Sequence, residues 1–188
     1  MKQVWRVFCA VELPDEVRRE LQSHVSRLRE AVPDVAASWS RVENVHLTLK
    51  FFGDVEVERI DAISAAASRT VGEFSTFPIG IGGTGVFRPS RPQVLWIGVS
   101  DPAGKLSALQ EKFDNETADF GKEDRAFRPH LTIARIRRPE GARHLADAHL
   151  KMEFKPIEIT LNEVIVFRSE LSPKGSRYTP ISHHPIRA

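Results

Sequence analysis

Residues 4–13 alternate between two faces, Val7, Cys9 and Val11 on one and Arg6, Phe8 and Ala10 on the other, and this period of two predicts a strand. Pro14 and Asp15 then open a helix. Its apolar positions Val17, Leu21, Val25, Leu28 and Val32 recur every three or four residues, the stripe of an amphipathic helix docked on a sheet. The segment "VENVHLTLKFFGD" reads as a second strand, closed by Gly53-Asp54. Residues 56–74 are expected to be helical, with Ile60, Ile63, Ala67 and Val71 along one side. Strands follow at 77–87 and 94–99, joined through "RPSRP", then a helix at 102–120 and a strand at 129–136 inside "FRPHLTIARIR". Two last strands, 157–167 and 176–186, complete the pattern.

Strand, helix and His-x-Thr strand occur twice, with His46 and His130 84 residues apart, close to half of the 188-residue chain. This partial repeat predicts an α+β fold of two pseudo-symmetric lobes, each an antiparallel sheet with helices on its outer face, and a cleft between them. With 41% apolar residues and no low-complexity segment or long linker, residues 1–188 are expected to form a single bilobal domain.

Composition narrows the function classes. No apolar run approaches the roughly eighteen residues needed to span a bilayer, and the N-terminus has no signal-peptide pattern, so a soluble, cytoplasmic protein is expected. The lone Cys9 cannot form an internal disulfide and falls at a core position. A net charge of +2 does not by itself indicate nucleic acid. Its distribution is uneven, however: Arg125, Arg128, Arg135, Arg137, Arg138 and Arg143 stand against one acid, Glu140, around the second His-x-Thr. This run fits either a solvated face or a site for an anionic ligand.

On a strand, His46 and Thr48 share one face, and Leu47, Leu49 and Phe51 are expected on the other, in the core. The same alternation sets His130 and Thr132 against Leu131 and Ile133. Seven histidines and eight threonines in 188 residues would give roughly 0.3 chance occurrences of His-x-Thr, so two matched copies carry information. Two imidazoles on one cleft suit acid–base chemistry near neutral pH, one taking a proton from water while the other gives one to a leaving oxygen. Threonine hydroxyls would donate to the non-bridging oxygens of a phosphorus held between them. The motifs lack the ligand spacing of a zinc site, and no metal is required. His24, His144, His149, His183 and His184 are expected at the surface.

The segments "RVFCAVELP", "ENVHLTLKFFGD", "FRPHLTIAR" and "FRSELSPKGSRYTPI" together resemble the 2H phosphoesterase superfamily, and within it the RNA 2′,3′-cyclic phosphodiesterases historically called 2′–5′ RNA ligases. The resemblance implies metal-independent, cofactor-free hydrolysis of an RNA 2′,3′-cyclic phosphate to a 2′-phosphomonoester. It further implies that His46 donates a proton to the 3′-oxygen, that His130 activates water, and that Thr48 and Thr132 grip the phosphate. Arg135 matches a substrate-binding arginine of relatives. Strict alternation would place it opposite His130, so that role requires a bulge or the end of the strand.

Three more residues are candidate substrate contacts. Lys50 would share a face with His46 and Thr48, and Phe8 and Tyr178 lie in strands where an outward aromatic ring could stack on a base. The expected partner is RNA with a 2′,3′-cyclic phosphate end or a cyclic nucleotide, with no membrane, no obligate protein partner and a monomeric state. Two alternatives remain: a small-nucleotide cyclic phosphodiesterase, and a non-catalytic RNA-end-binding module. Ligation is the microscopic reverse of the hydrolytic chemistry and would use the same groups.

Overall fold

Period-two and period-three-to-four patterns sort the chain into nine strands and four helices among the described residues of the computed structural model, which are 2–122, 125–172 and 175–188. Pro173 and Lys174, within the last of the segments quoted above, lie outside them. In order the elements are β1 (Val4–Val11), α1 (Asp15–Ala31), β2 (Ala37–Trp39), β3 (Leu47–Glu56), α2 (Ile60–Val71), β4 (Phe77–Phe87), β5 (Val94–Ser100), α3 (Lys105–Glu116), β6 (His130–Ile136), α4 (Ala142–Lys151), β7 (Ile157–Leu161), β8 (Glu163–Ser172) and β9 (Gly175–Pro185). Asp15 and Glu16 occupy the first turn of α1 and Arg29 the last, each complementing the helix dipole.

The strands form two antiparallel sheets, one ordered β3-β1-β8-β9 and the other β2-β6-β5-β4-β7. The repeat seen in sequence is thus a repeat in space. β3, β1, β8 and β9 match β6, β5, β4 and β7 in order, and each motif strand lies beside the strand that precedes its helix. The helices are exchanged between halves. α3, which follows β5 of the larger sheet, packs on α2 and β3, whereas α1, which follows β1 of the smaller sheet, packs beside α4. One buried apolar cluster runs through both halves, from Val7, Leu21 and Leu28 to Ile79, Leu95 and Leu145.

The structure departs from the sequence reading in several places, among them β2 and α4, which it adds. The strand expected over 157–167 is divided between sheets: Ile157, Ile159 and Leu161 point into the core from β7, and after Asn162 the chain enters β8, buried at Val164, Ile165, Val166 and Phe167. The change from alternating to continuous burial marks the crossing. The histidines expected at the surface are divided as well. His144 and His183 are exposed, but His24 and His149 are fully buried and His184 nearly so. His24 lies next to Val25 on the apolar stripe of α1. His149 continues the Ala142, Leu145, Ala146 spacing of α4, a helix that this spacing could have revealed. Cys9 is core, and burial pushes its thiol well above the ordinary thiol range. Among the described residues, no helix is long and apolar enough to cross a membrane.

Candidate active site

The two motif strands approach within 8 Å, Cα to Cα, where the sheets meet. Each is bulged at the same place relative to its histidine. In β3 the register with β1 shifts between Lys50 opposite Cys9 and Thr48 opposite Ala10, so Leu49 is the extra residue. In β6 the register with β5 shifts between Ala134 opposite Leu95 and Thr132 opposite Trp96, so Ile133 is the extra residue. A bulge reverses the alternation beyond it. Leu49 and Lys50 are therefore both buried, as are Ile133 and Ala134, and the fifth residue after each histidine returns to the cleft face.

The bulge in β6 supplies the geometry that Arg135 needed, and its exposed side chain lines the cleft with His130 and Thr132. The bulge in β3 bears on two expectations. Phe51, expected in the core, is 42% exposed and lines the cleft, with the Arg6 guanidinium 4.9 Å from its ring centroid. Lys50, expected beside His46, borders the cleft but is only 3% exposed. Its ammonium lies 2.5 Å from Asp114 Oδ1 and donates to the Gly121 carbonyl at 2.6 Å, so it is committed to a buried ion pair.

Each catalytic candidate has its ring set by the same device. His46 Nδ1 lies 2.8 Å from the Asn44 carbonyl and His130 Nδ1 lies 2.7 Å from the Arg128 carbonyl. A carbonyl only accepts, so Nδ1 carries the proton and Nε2 of each ring is left for chemistry. The segment that carries the Asn44 carbonyl is anchored in turn. Arg18 donates to the carbonyls of Leu13, Val42 and Glu43, and Asn44 Nδ2 donates to the Ser176 carbonyl at 2.8 Å. On the other side, Ser40 Oγ donates to the Thr132 carbonyl at 2.9 Å.

Aromatic rings flank both imidazoles. Phe8 stacks on His46 with centroids 4.7 Å apart, and Tyr178 meets His46 edge-on at 5.2 Å. Phe87 meets His130 edge-on at 4.8 Å, with Trp96 at 6.4 Å. Gly85 permits the Trp96 position, because a Cβ there would fall 2.0 Å from the indole ring. Phe8 is 2% exposed, packed also on Phe167 and Ala10, so it holds the imidazole and has no open face for a base. Tyr178 is half-buried and borders a separate hollow of about 440 Å³ with Arg41, Asn44 and Arg177. Burial lowers the His46 pKa, opposed by the hydrogen bond to Asn44.

The cleft itself has a volume of about 800 Å³ and is lined by Thr48, Leu49, Lys50 and Phe51 from one sheet and His130, Thr132 and Arg135 from the other. Thr48, two residues after His46, lines the cleft, and Asn44, two residues before it, lines the smaller hollow. Sequence reasoning missed Phe51, and also Arg88 and Gln93 of the β4–β5 turn, which line the cleft. For Phe51 the signal was present: it is the fifth residue after His46, as Arg135 is after His130.

Two imidazoles with matched tautomers, two hydroxyls and a guanidinium, carried by strands that meet where two pseudo-symmetric sheets adjoin, are the parts that a two-histidine phosphoesterase site requires. The family model of the 2′-5′ RNA ligase superfamily matches residues 13–172, and the chain belongs to that superfamily. An RNA 2′,3′-cyclic phosphodiesterase of Methanothermobacter thermautotrophicus is 36% identical over 181 residues, covering 93% of this chain and 95% of the relative. The crystal structure of the Thermus thermophilus protein TT0787 superimposes with a TM-score of 0.77 at 26% identity, covering 97% and 98% of the two chains. That of Escherichia coli LigT complexed with 3′-AMP gives 0.75 at 26% identity, over 99% and 100%.

Proposed function

We propose that this chain hydrolyses the 2′,3′-cyclic phosphate at an RNA end to a 2′-phosphomonoester, acting as one bilobal domain, monomeric and cytoplasmic. The observation that carries the reading is the matched pair of imidazoles, each with Nδ1 on the carbonyl two residues earlier and Nε2 available. Water attacks phosphorus as His130 Nε2 takes its proton. The bond from phosphorus to the 3′-oxygen breaks, and His46 Nε2 gives that oxygen a proton. The 2′-phosphate and a 3′-hydroxyl result, and the two histidines exchange protonation states once per turnover.

Thr48 and Thr132 donate to the non-bridging oxygens, and Arg135 offsets the charge that grows on them in the pentacovalent transition state. The lowered His46 pKa makes its protonated ring a stronger acid toward a departing alkoxide. The name of the Methanothermobacter relative and the 3′-AMP bound to the Escherichia coli protein support a nucleotide substrate. The proton transfers are assigned to the imidazoles, whose Nε2 atoms are left available by their Nδ1 hydrogen bonds.

The test is incubation with a 2′,3′-cyclic-phosphate oligonucleotide in EDTA, resolving 2′- from 3′-phosphate. The expected product is the 2′-phosphate, with His46→Ala and His130→Ala each lowering turnover by a factor on the order of 10² to 10⁴. Turnover unchanged in either variant, or lost on chelation and restored by a divalent ion, overturns the two-histidine mechanism. RNA-end binding with no turnover would favour the binding-module alternative.

A further inference from the structure

All six arginines between Arg125 and Arg143 are exposed, and each borders one of two hollows. Arg125, Arg128 and Arg135 line the cleft, and Arg137, Arg138 and Arg143 line a second hollow of about 170 Å³. The two adjoin at Gln93, which lines both. The turn between β4 and β5 bridges them: Arg88 faces the cleft, Arg91 faces the second hollow, and Arg91 N donates to the Arg88 carbonyl at 2.9 Å. Arg88 is the one non-glycine residue with positive φ, at 58°, among the described residues. A left-handed backbone at a residue with a side chain is costly and marks a conformation imposed by its surroundings.

Four arginines thus meet in the second hollow, and among the described residues no carboxylate pairs with any of them. Two are fixed in place: Arg137 Nε donates to Ser38 Oγ at 2.6 Å and Arg143 Nη2 to the Ser90 carbonyl at 3.5 Å. Clustered like charges repel, and such a cluster suits an anion with several negative groups. The hollow is smaller than the roughly 300 Å³ at which small-molecule pockets begin, so it suits a backbone phosphate better than a separate metabolite. The hollow beside Tyr178 is less basic, holding Arg41 and Arg177 against Glu43.

A 2′,3′-cyclic phosphate terminates an RNA strand, so everything else in that strand lies on its 5′ side. We infer that this 5′ strand leaves the cleft across the β4–β5 turn, and that its backbone phosphates are held by Arg91, Arg137, Arg138 and Arg143. The inference rests on the proposed RNA-end substrate and makes it more specific. The enzyme reads the end of a strand, with phosphate contacts positioning it without regard to sequence.

The experiment compares a 2′,3′-cyclic mononucleotide with a cyclic-ended oligonucleotide of six to ten residues, using the unaltered protein and the double variant Arg91→Gln/Arg138→Gln, whose side chains make no internal hydrogen bond among those described. The unaltered protein is expected to favour the oligonucleotide in kcat/KM. The double variant should lose about tenfold on it through KM, keep mononucleotide turnover within about twofold, and lessen the slope of log KM against log salt by about 1.4, near 0.7 per lost single-strand contact. Equal losses on both substrates, no preference for the oligonucleotide, or a preference abolished instead by Arg41→Gln/Arg177→Gln would overturn the inference. If neither substrate is turned over, the proposed function fails separately. Anisotropy with a phosphate-ended oligonucleotide then decides the subsite: length-dependent binding lost in the double variant supports it, and binding unchanged refutes it.

Discussion

Phe51 and Arg135 occupy the same position in the two halves of the molecule, each the fifth residue after a histidine and each returned to the cleft by a bulge. One position thus presents a flat apolar ring and its counterpart a cation. Phe51→Ala should therefore raise KM for nucleotide substrates with a smaller effect on kcat, as expected where base stacking worth about 1–3 kcal/mol is lost. Arg135→Ala should mainly lower kcat, since the charge it offsets is greatest in the transition state. Steady-state kinetics on one cyclic nucleotide measure both, and the reverse pattern would exchange the roles.

Phe8 backs His46, and its removal should reach the proton donor without touching substrate. In the free protein, the His46 ring should titrate below the usual histidine midpoint near 6.5, because burial disfavours the imidazolium. Phe8→Ala should move that midpoint upward toward the ordinary value by admitting water. Saturation with inorganic phosphate should also raise it, through the added negative charge. An NMR titration of the ring Cε1–H resonances reports all three, and an unshifted midpoint in the free protein would remove the burial argument.

Lys50 and Asp114 form a buried ion pair beside the cleft. Asp114→Ala should destabilise by about 3–5 kcal/mol, since it leaves a buried ammonium without its counter-charge. Lys50→Met, which removes the charge and keeps the stem, should be the milder change. Urea unfolding measures the stability, and kcat on the folded protein should stay within about threefold of the unaltered value. A kcat loss as large as that of the histidine variants would give Lys50 a part in the reaction.

His24 and His149 confer acid sensitivity away from the cleft. His149 Nε2 donates to the Trp96 carbonyl at 3.1 Å, which leaves its Nδ1 to accept from His24 Nε2 at 3.1 Å, an arrangement of two neutral rings. Burial lowers both pKa values, that of His24 to about 4. The unfolded chain, with midpoints near 6.5, therefore binds protons that the folded chain does not. Their contribution to stability is complete above about pH 6.5 and is lost as pH falls from there toward 4. His24→Leu should flatten this dependence, whatever it does to absolute stability. Urea midpoints at pH 7.5, 6 and 5 test it, and an equally steep fall in the variant would place the sensitivity elsewhere.

The sequence by itself determined the local periodicities, and with them β1, β4, α1, the paired His-x-Thr strands and their relation as a repeat, because alternation and helical stripes are set by which side chains must leave water. It also carried the family, through motifs whose residue types the chemistry requires. What it could not determine was the phase of a strand after an irregularity. Only pairing with β1 and β5 fixes where Leu49 and Ile133 are extruded, and that choice buried Lys50, exposed Phe51 and brought Arg135 to the cleft. The same holds for the arginine run, whose six members are divided between two adjoining hollows by the turn of another hairpin. A bulge and a hollow are made by strands distant in sequence, so tertiary packing decided them.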